Sequence, residues 1–161
     1  VYLGNFAGAM LVAALCVSGH VFSAFGGKLA ASVIAIAQAK AGLSFGDAFV
    51  RGILCNFLVC IAVWMANAAG TVGGKIAAVF FPIMAFVVAG FEHSVANMYY
   101  LAAGLFTAGQ TGAAAEGLTW GRALIGNLLP VTLGNLVGGG LLVGVSAWYL
   151  YLKKERNGVN S

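Results

Sequence analysis

Residues 90–100 read GFEHSVANMYY, and they interrupt a run, Gly73 to Thr107, that is otherwise apolar for longer than one membrane crossing needs. A helix crosses roughly 30 Å of hydrocarbon with about 20 apolar residues. In the middle of the run Gly90 frees the backbone, and Glu92, His93, Ser94 and Asn97 bring groups that lipid does not solvate. An ionisable side chain at that depth costs about 2.5 kcal/mol or more and usually faces a cavity or a partner. This predicts a broken span, two half-helices meeting where freed amides face other protein or a water-filled path. An inward-aimed half-helix N-terminus gathers partial positive charge and so suits a small anion. An imidazole there, with an ordinary pKa of about 6.5, can be cationic to attract the anion or can lend it a proton.

The rest of the chain agrees with a membrane protein. Of 161 residues 61% are hydrophobic and only 7% charged, against about 25% charged in soluble domains, so a water-soluble surface cannot be built. The net charge of +4 is scattered rather than clustered, which sets nucleic acid aside. Val1 to about Val21 reads as a first span; the Ala-rich Leu29 to Ala39 as a helix too short to cross, in a loop at the surface; Ser44 to about Met65 as a second span, with Trp64 in an interfacial belt. Asn67 to Lys75 is a turn, Ala108 to Arg122 a polar connection, and Ala123 to Leu152 a last span with Pro130 in its first third. Residues 1–152 then form a transmembrane domain. The tail 153–161, with Lys153, Lys154 and Arg156, points to a cytoplasmic C-terminus. Cys16, Cys55 and Cys60 lack metal or redox spacing and read as buried apolar residues. No phosphate loop, nucleophile elbow or metal cluster is present, so no cofactor, metal or ATP is expected and an enzyme is set aside.

VYLGNFAGAML at Val1–Leu11 aligns with VTLGNLVGGGL at Val131–Leu141, sharing a Gly-Asn pair that is not a generic packing motif. Three crossings from one copy to the next would run them in opposite directions, the inverted-repeat architecture of many transporters, with the site at the repeat interface. The second copy is preceded by a broken span. An equivalent broken span is therefore expected upstream of Val1, and no signal peptide precedes the first apolar run.

Several residues keep two readings on this evidence. Glu92 and His93 either line a path or form a static ion pair with each other or with Arg51. Phe86 lies seven residues before His93, so if the half-helix continues to the break they share a face and Phe86 gates His93; ordinary packing is the alternative. Asn135 and Asn56 each bond across helices or line the path. Lys40, near a span end, reads as snorkelling to the interface, and His20 as interfacial.

GFEHSVANMYY and NLLPVTLGNLVGGGLLVG (Asn127–Gly144) closely resemble the signature segments of the formate/nitrite transporter family, and the likeness runs on through VYLGNFAGA and through GILCNFLVCIAVWMA at Gly52–Ala66. It covers nearly the whole chain. The resemblance implies an all-α, aquaporin-like inverted-repeat bundle assembled as a homopentamer in the bilayer of a bacterial plasma membrane, with one anion path per protomer. The family has six spans with the second and fifth broken, so this chain would correspond to spans three to six, an incomplete bundle with one broken span. Carried over by motif, His93 looks like the central pore histidine, Phe86 like the constriction phenylalanine of the fifth span and Asn135 like the pore-facing asparagine of the sixth. Lys40 and Asn56 match the lysine and asparagine near that histidine, with Glu92 beside it, which reverses the snorkelling reading of Lys40. The family's second-span loop, with its slit and threonine contacts, has no counterpart in these residues. The expected substrate is formate, toward which LPVTLGN leans; nitrite or hydrosulfide, or a non-conducting remnant that serves assembly, are the alternatives.

Overall fold

A computed structural model describes residues 1–152, and every regular element among them is helical. The helices are α1 (Tyr2–Ser18), α2 (Lys28–Ala41), α3 (Phe45–Ala68), α4 (Val72–Val88), α5 (Ser94–Thr111) and α6 (Arg122–Tyr151). In α6 the turns Leu129–Asn135 are α-helical, and the turns on either side are wound wider, with i→i+5 bonding. Pro130, which has no N–H to give, lies in the α-helical part. The expected tail begins where the description ends, so Lys153, Lys154 and Arg156 lie outside the described residues.

Val21–Ala41, Phe45–Ala68 and Arg122–Tyr151 are long and apolar enough to cross a membrane, and α1 and α4 are shorter apolar helices. The first of these stretches is not one straight helix. Ala24, Phe25 and Gly26 leave helical geometry, and Phe25 and Gly26 turn left-handed, before α2 begins at Lys28. Fourteen residues of α2 rise roughly 21 Å, which is too short to cross, as the sequence implies. Ala30, Ile34, Ala37 and Ala41 are buried along one side of α2, while Ala31, Ser32, Ala35, Ile36 and Ala39 are exposed.

The helices group into two compact units. One holds Val1–Ala48 and His93–Pro130; the other holds Phe49–Glu92 and the chain from Val131. In the first unit α5 is central. Its Met98 and Leu101 pack with Ala37, Ala41, Leu118, Ala123 and Leu128, while Ala102 and Ala103 pack with Ala13, Val17, Phe22 and Ala30. Gly104 makes this approach possible, since a Cβ there would collide with that of Ala37. Gln110 at the far end of α5 donates to the Val17 carbonyl (2.9 Å) in α1's last turn, which also accepts from the His20 N–H (3.0 Å).

In the second unit the backbones of α3 and α6 touch. A Cβ on Gly134 would run into the Phe49 carbonyl oxygen, one on Gly138 into that of Ile53, and one on Gly52 would lie 2.8 Å from the Val131 oxygen. Small residues at a crossing are how membrane helices gain close packing where lipid removes the hydrophobic drive. Thr71 caps α4 by accepting from the Gly74 N–H (3.1 Å). Trp64 meets Tyr151 edge to face at 5.6 Å, both rings exposed, in keeping with an aromatic belt at that end of the unit.

Candidate functional site

The long apolar run is broken where its polar residues predict. After Val88, Gly90 adopts φ +67°, the left-handed region that glycine enters without strain, and helix resumes at Ser94. The backbone groups released there are taken up one by one in the second unit. The Phe91 N–H donates to the Phe86 carbonyl (3.0 Å) and the Glu92 N–H to the Arg51 carbonyl (3.3 Å). The Asn135 amide donates to the Glu92 carbonyl (3.0 Å) and to the Gly52 carbonyl (2.9 Å), and Asn56 donates to the Asn135 carbonyl (2.7 Å). Asn135 thus clips the end of the break to the glycine crossing of α3 and α6. Arg51 donates to the Gly90 carbonyl at 3.5 Å, the long limit of a hydrogen bond. Glu92 is buried at 3% exposure, while Ala89 and Gly90 at the start of the break are exposed.

The first unit holds the other side of the break. His93 caps α5: its Nδ1 accepts from the Ala96 N–H at 3.3 Å. An imidazole whose Nδ1 accepts carries its proton on Nε2, so the bond selects the tautomer and leaves Nε2–H as the donor. The His93 carbonyl accepts from the Asn97 N–H (2.9 Å); the Asn97 amide donates to Asn127 Oδ1 (2.8 Å); and Asn127 donates to the Lys40 carbonyl (2.9 Å). Both asparagine side chains are buried. The Lys40 ammonium lies 5.5 Å from the centroid of the Tyr100 ring, within cation–π range.

Of the residues singled out from sequence, Glu92, Asn56 and Asn135 come together in one unit, and His93 and Lys40 are linked through two amides in the other. The shared face of Phe86 and His93 required the half-helix to continue to the break; α4 ends at Val88 and Gly90 turns left-handed, so the seven-residue spacing carries no argument for Phe86. Phe86 is half-buried, and its carbonyl receives the Phe91 N–H. Asn127 escaped notice although it opens the string NLLPVTLGN; an amide in an apolar helix must find a partner, and that was the available signal. The Asn97 amide, one of the polar groups of the break, reaches 30 positions along the chain to Asn127. Cys55 is buried, as expected; Cys16 and Cys60 are half-buried, and none of the three forms a disulfide among the described residues. Among the described residues no three His, Cys, Asp or Glu side chains cluster as a metal would need.

A helical protein with three helices long and apolar enough to cross a membrane, and a further apolar run broken at a polar junction, belongs to the class of multi-pass membrane proteins. More narrowly, residues 1–149 match the formate/nitrite transporter family model, and the chain belongs to that family. It is 46% identical over 124 residues to a probable formate transporter of Methanothermobacter thermautotrophicus, covering 77% of this chain and 42% of that protein. It is 40% identical over 162 residues to the formate channel FocA of Haemophilus influenzae, covering 93% of this chain and 57% of the relative. The chain therefore spans about half the length of the relatives it matches. A solved pentameric formate channel with formate bound superposes with a TM-score of 0.84 at 36% identity, over 94% of this chain and 64% of that one; an FNT family ion channel gives 0.78 at 36% identity, over 92% and 56%. The fold is that of these channels, matched over part of their length.

Proposed function

We propose that this chain forms part of a channel for small monovalent anions, formate first, in which His93 meets the anion at the positive end of α5. The observation that carries the reading is the capped half-helix. Eighteen residues of α5 end their dipole at the break, where roughly half a unit of positive charge gathers. The tautomer set by the Ala96 bond directs an N–H donor from Nε2. The neutral ring hydrogen-bonds a carboxylate through this N–H; when the ring is protonated at both nitrogens, the imidazolium passes one proton to the carboxylate and returns to neutral imidazole, so that the substrate crosses as the neutral acid and avoids most of the cost of moving charge through lipid. A second proton on the ring must go to Nδ1, which ends the bond to Ala96; protonation and the shape of the break are thereby coupled.

Lys40, Asn56, Glu92 and Asn135 support this site in the proposal, with Phe86 as the constriction that the family likeness suggests. Relatives named as formate transporters and channels favour formate, and the pentameric neighbour favours a homopentamer. A cytoplasmic C-terminus in a bacterial inner membrane completes the picture.

Uptake of formate, nitrite and hydrosulfide into proteoliposomes, measured in pH steps across the imidazole range of about 5.5–7.5, tests it in the full-length protein. Formate should dominate, and His93→Ala should flatten the pH profile with assembly intact. An unchanged profile would remove the proton role from His93; dominance of another anion would reassign the substrate; and no flux of any of the three would end the channel reading.

A further inference from the structure

We infer that Asn127 is a positioning residue for His93: its buried amide, held between Asn97 and the Lys40 carbonyl, keeps the first turn of α5 wound, so that the imidazole stays on the Ala96 N–H. The consequence for flux rests on the role proposed for His93 at the anion; the consequence for the ring rests on the geometry of the first unit alone.

The cap by itself is weak. The 3.3 Å from Nδ1 to the Ala96 nitrogen is long for a hydrogen bond. The His93 backbone is extended (φ −106°, ψ 117°), so the ring is held by the turn that follows it. The first bond of that turn runs from the Asn97 N–H to the His93 carbonyl (2.9 Å). Asparagine is a poor residue there, because its amide competes with the helix for nearby backbone groups. A released Asn97 amide would compete for that same carbonyl. Asn127 removes the competition: its Oδ1 accepts the Asn97 amide (2.8 Å), and its own amide donates to the Lys40 carbonyl (2.9 Å) in the last turn of α2. That carbonyl also accepts from the Leu43 N–H (3.3 Å). Asn127 is 0% exposed and Asn97 1%, so bulk solvent offers no replacement for either bond. Only a group that accepts at one end and donates at the other serves both neighbours; a leucine of similar size supplies neither.

The test uses the full-length protein with nitrogen-15 histidine in phosphatidylcholine–phosphatidylglycerol bilayers, the His93 signals being assigned by their absence in His93→Gln. At about pH 8.5, roughly two units above the ordinary imidazole value, the ring is neutral and its two nitrogens report the tautomer. The parent should show the Nε2–H form in excess. In Asn127→Leu and in Asn97→Leu that excess should fall about three- to ten-fold, and the double variant should fall no further, as links of one chain do. Gln110→Leu, which removes a bond to the Val17 carbonyl in the same unit, should match the parent. Formate uptake should fall in step with the tautomer ratio. An unchanged ratio in Asn127→Leu would overturn the inference. So would an equal loss in Gln110→Leu, which would mean general loosening of the unit, or an additive loss in the double variant. Should Asn127→Leu not fold, Asn97→Leu, which leaves the bond to Lys40 in place, decides the same question. A fallen ratio with unaltered uptake would keep the positioning and take His93 out of the anion's path.

Discussion

Gly134-Asn135 and Gly4-Asn5 are the same dipeptide in the same repeated frame, yet one is locked in place and the other is bare. At Gly134 there is no room for a methyl group, and Asn135, 7% exposed, holds two carbonyls. At Gly4 there is open space, and Asn5 is exposed. A Gly-Asn pair on an apolar helix is therefore not a local structural signal, since both copies are equally helical. It is a fitting, and its meaning lies in what is brought against it.

The comparison can be broken most sharply at the glycines. Gly134→Leu should destabilise the protein by about 3 kcal/mol or more by forcing apart α3 and α6, whereas Gly4→Leu should stay within about 0.5 kcal/mol; denaturant unfolding in micelles reads both. Equal effects would mean that the two copies are used alike. Next come the amides. Asn135→Leu leaves two buried carbonyls without their donor and should cost about 1–3 kcal/mol and reduce anion flux, while Asn5→Leu should leave stability unchanged. Unaltered flux in Asn135→Leu would return that residue to helix packing alone.

Asn127→Leu sharpens the contrast from the first unit. It removes the bond to the Lys40 carbonyl and the acceptor for Asn97, and should cost about 1–3 kcal/mol, with faster hydrogen exchange at the end of α2 than in α1. The smallest effect is expected at Arg51. Its bond to the Gly90 carbonyl is long, so Arg51→Lys should change stability by no more than about 0.5 kcal/mol, and a larger loss would show that the guanidinium holds the break.

The sequence made the break legible because its causes are local: a glycine able to turn left-handed, a histidine able to cap, and polar groups crowded into one short stretch. The same local logic carries nothing for Phe86, because the seven-residue spacing to His93 has meaning only along a continuous helix and the break removes it. The packing of α2 was out of reach for a different reason: its length rules out a crossing, but length says nothing about what covers Ala37, and Gly104 on α5 does so from far along the chain.

Composition, apolar run length and the Gly90–Asn97 chemistry by themselves determined a helical membrane protein with one broken span, and the long motifs determined its family. Only the tertiary structure decided which carbonyl each asparagine holds and which copy of the Gly-Asn repeat is seated. The reason is physical. A turn is set by residues adjacent in the chain, but an amide takes any acceptor within about 3 Å, and the acceptors chosen by Asn135 and Asn127 lie between 43 and 87 positions away, brought there by packing that no local pattern encodes.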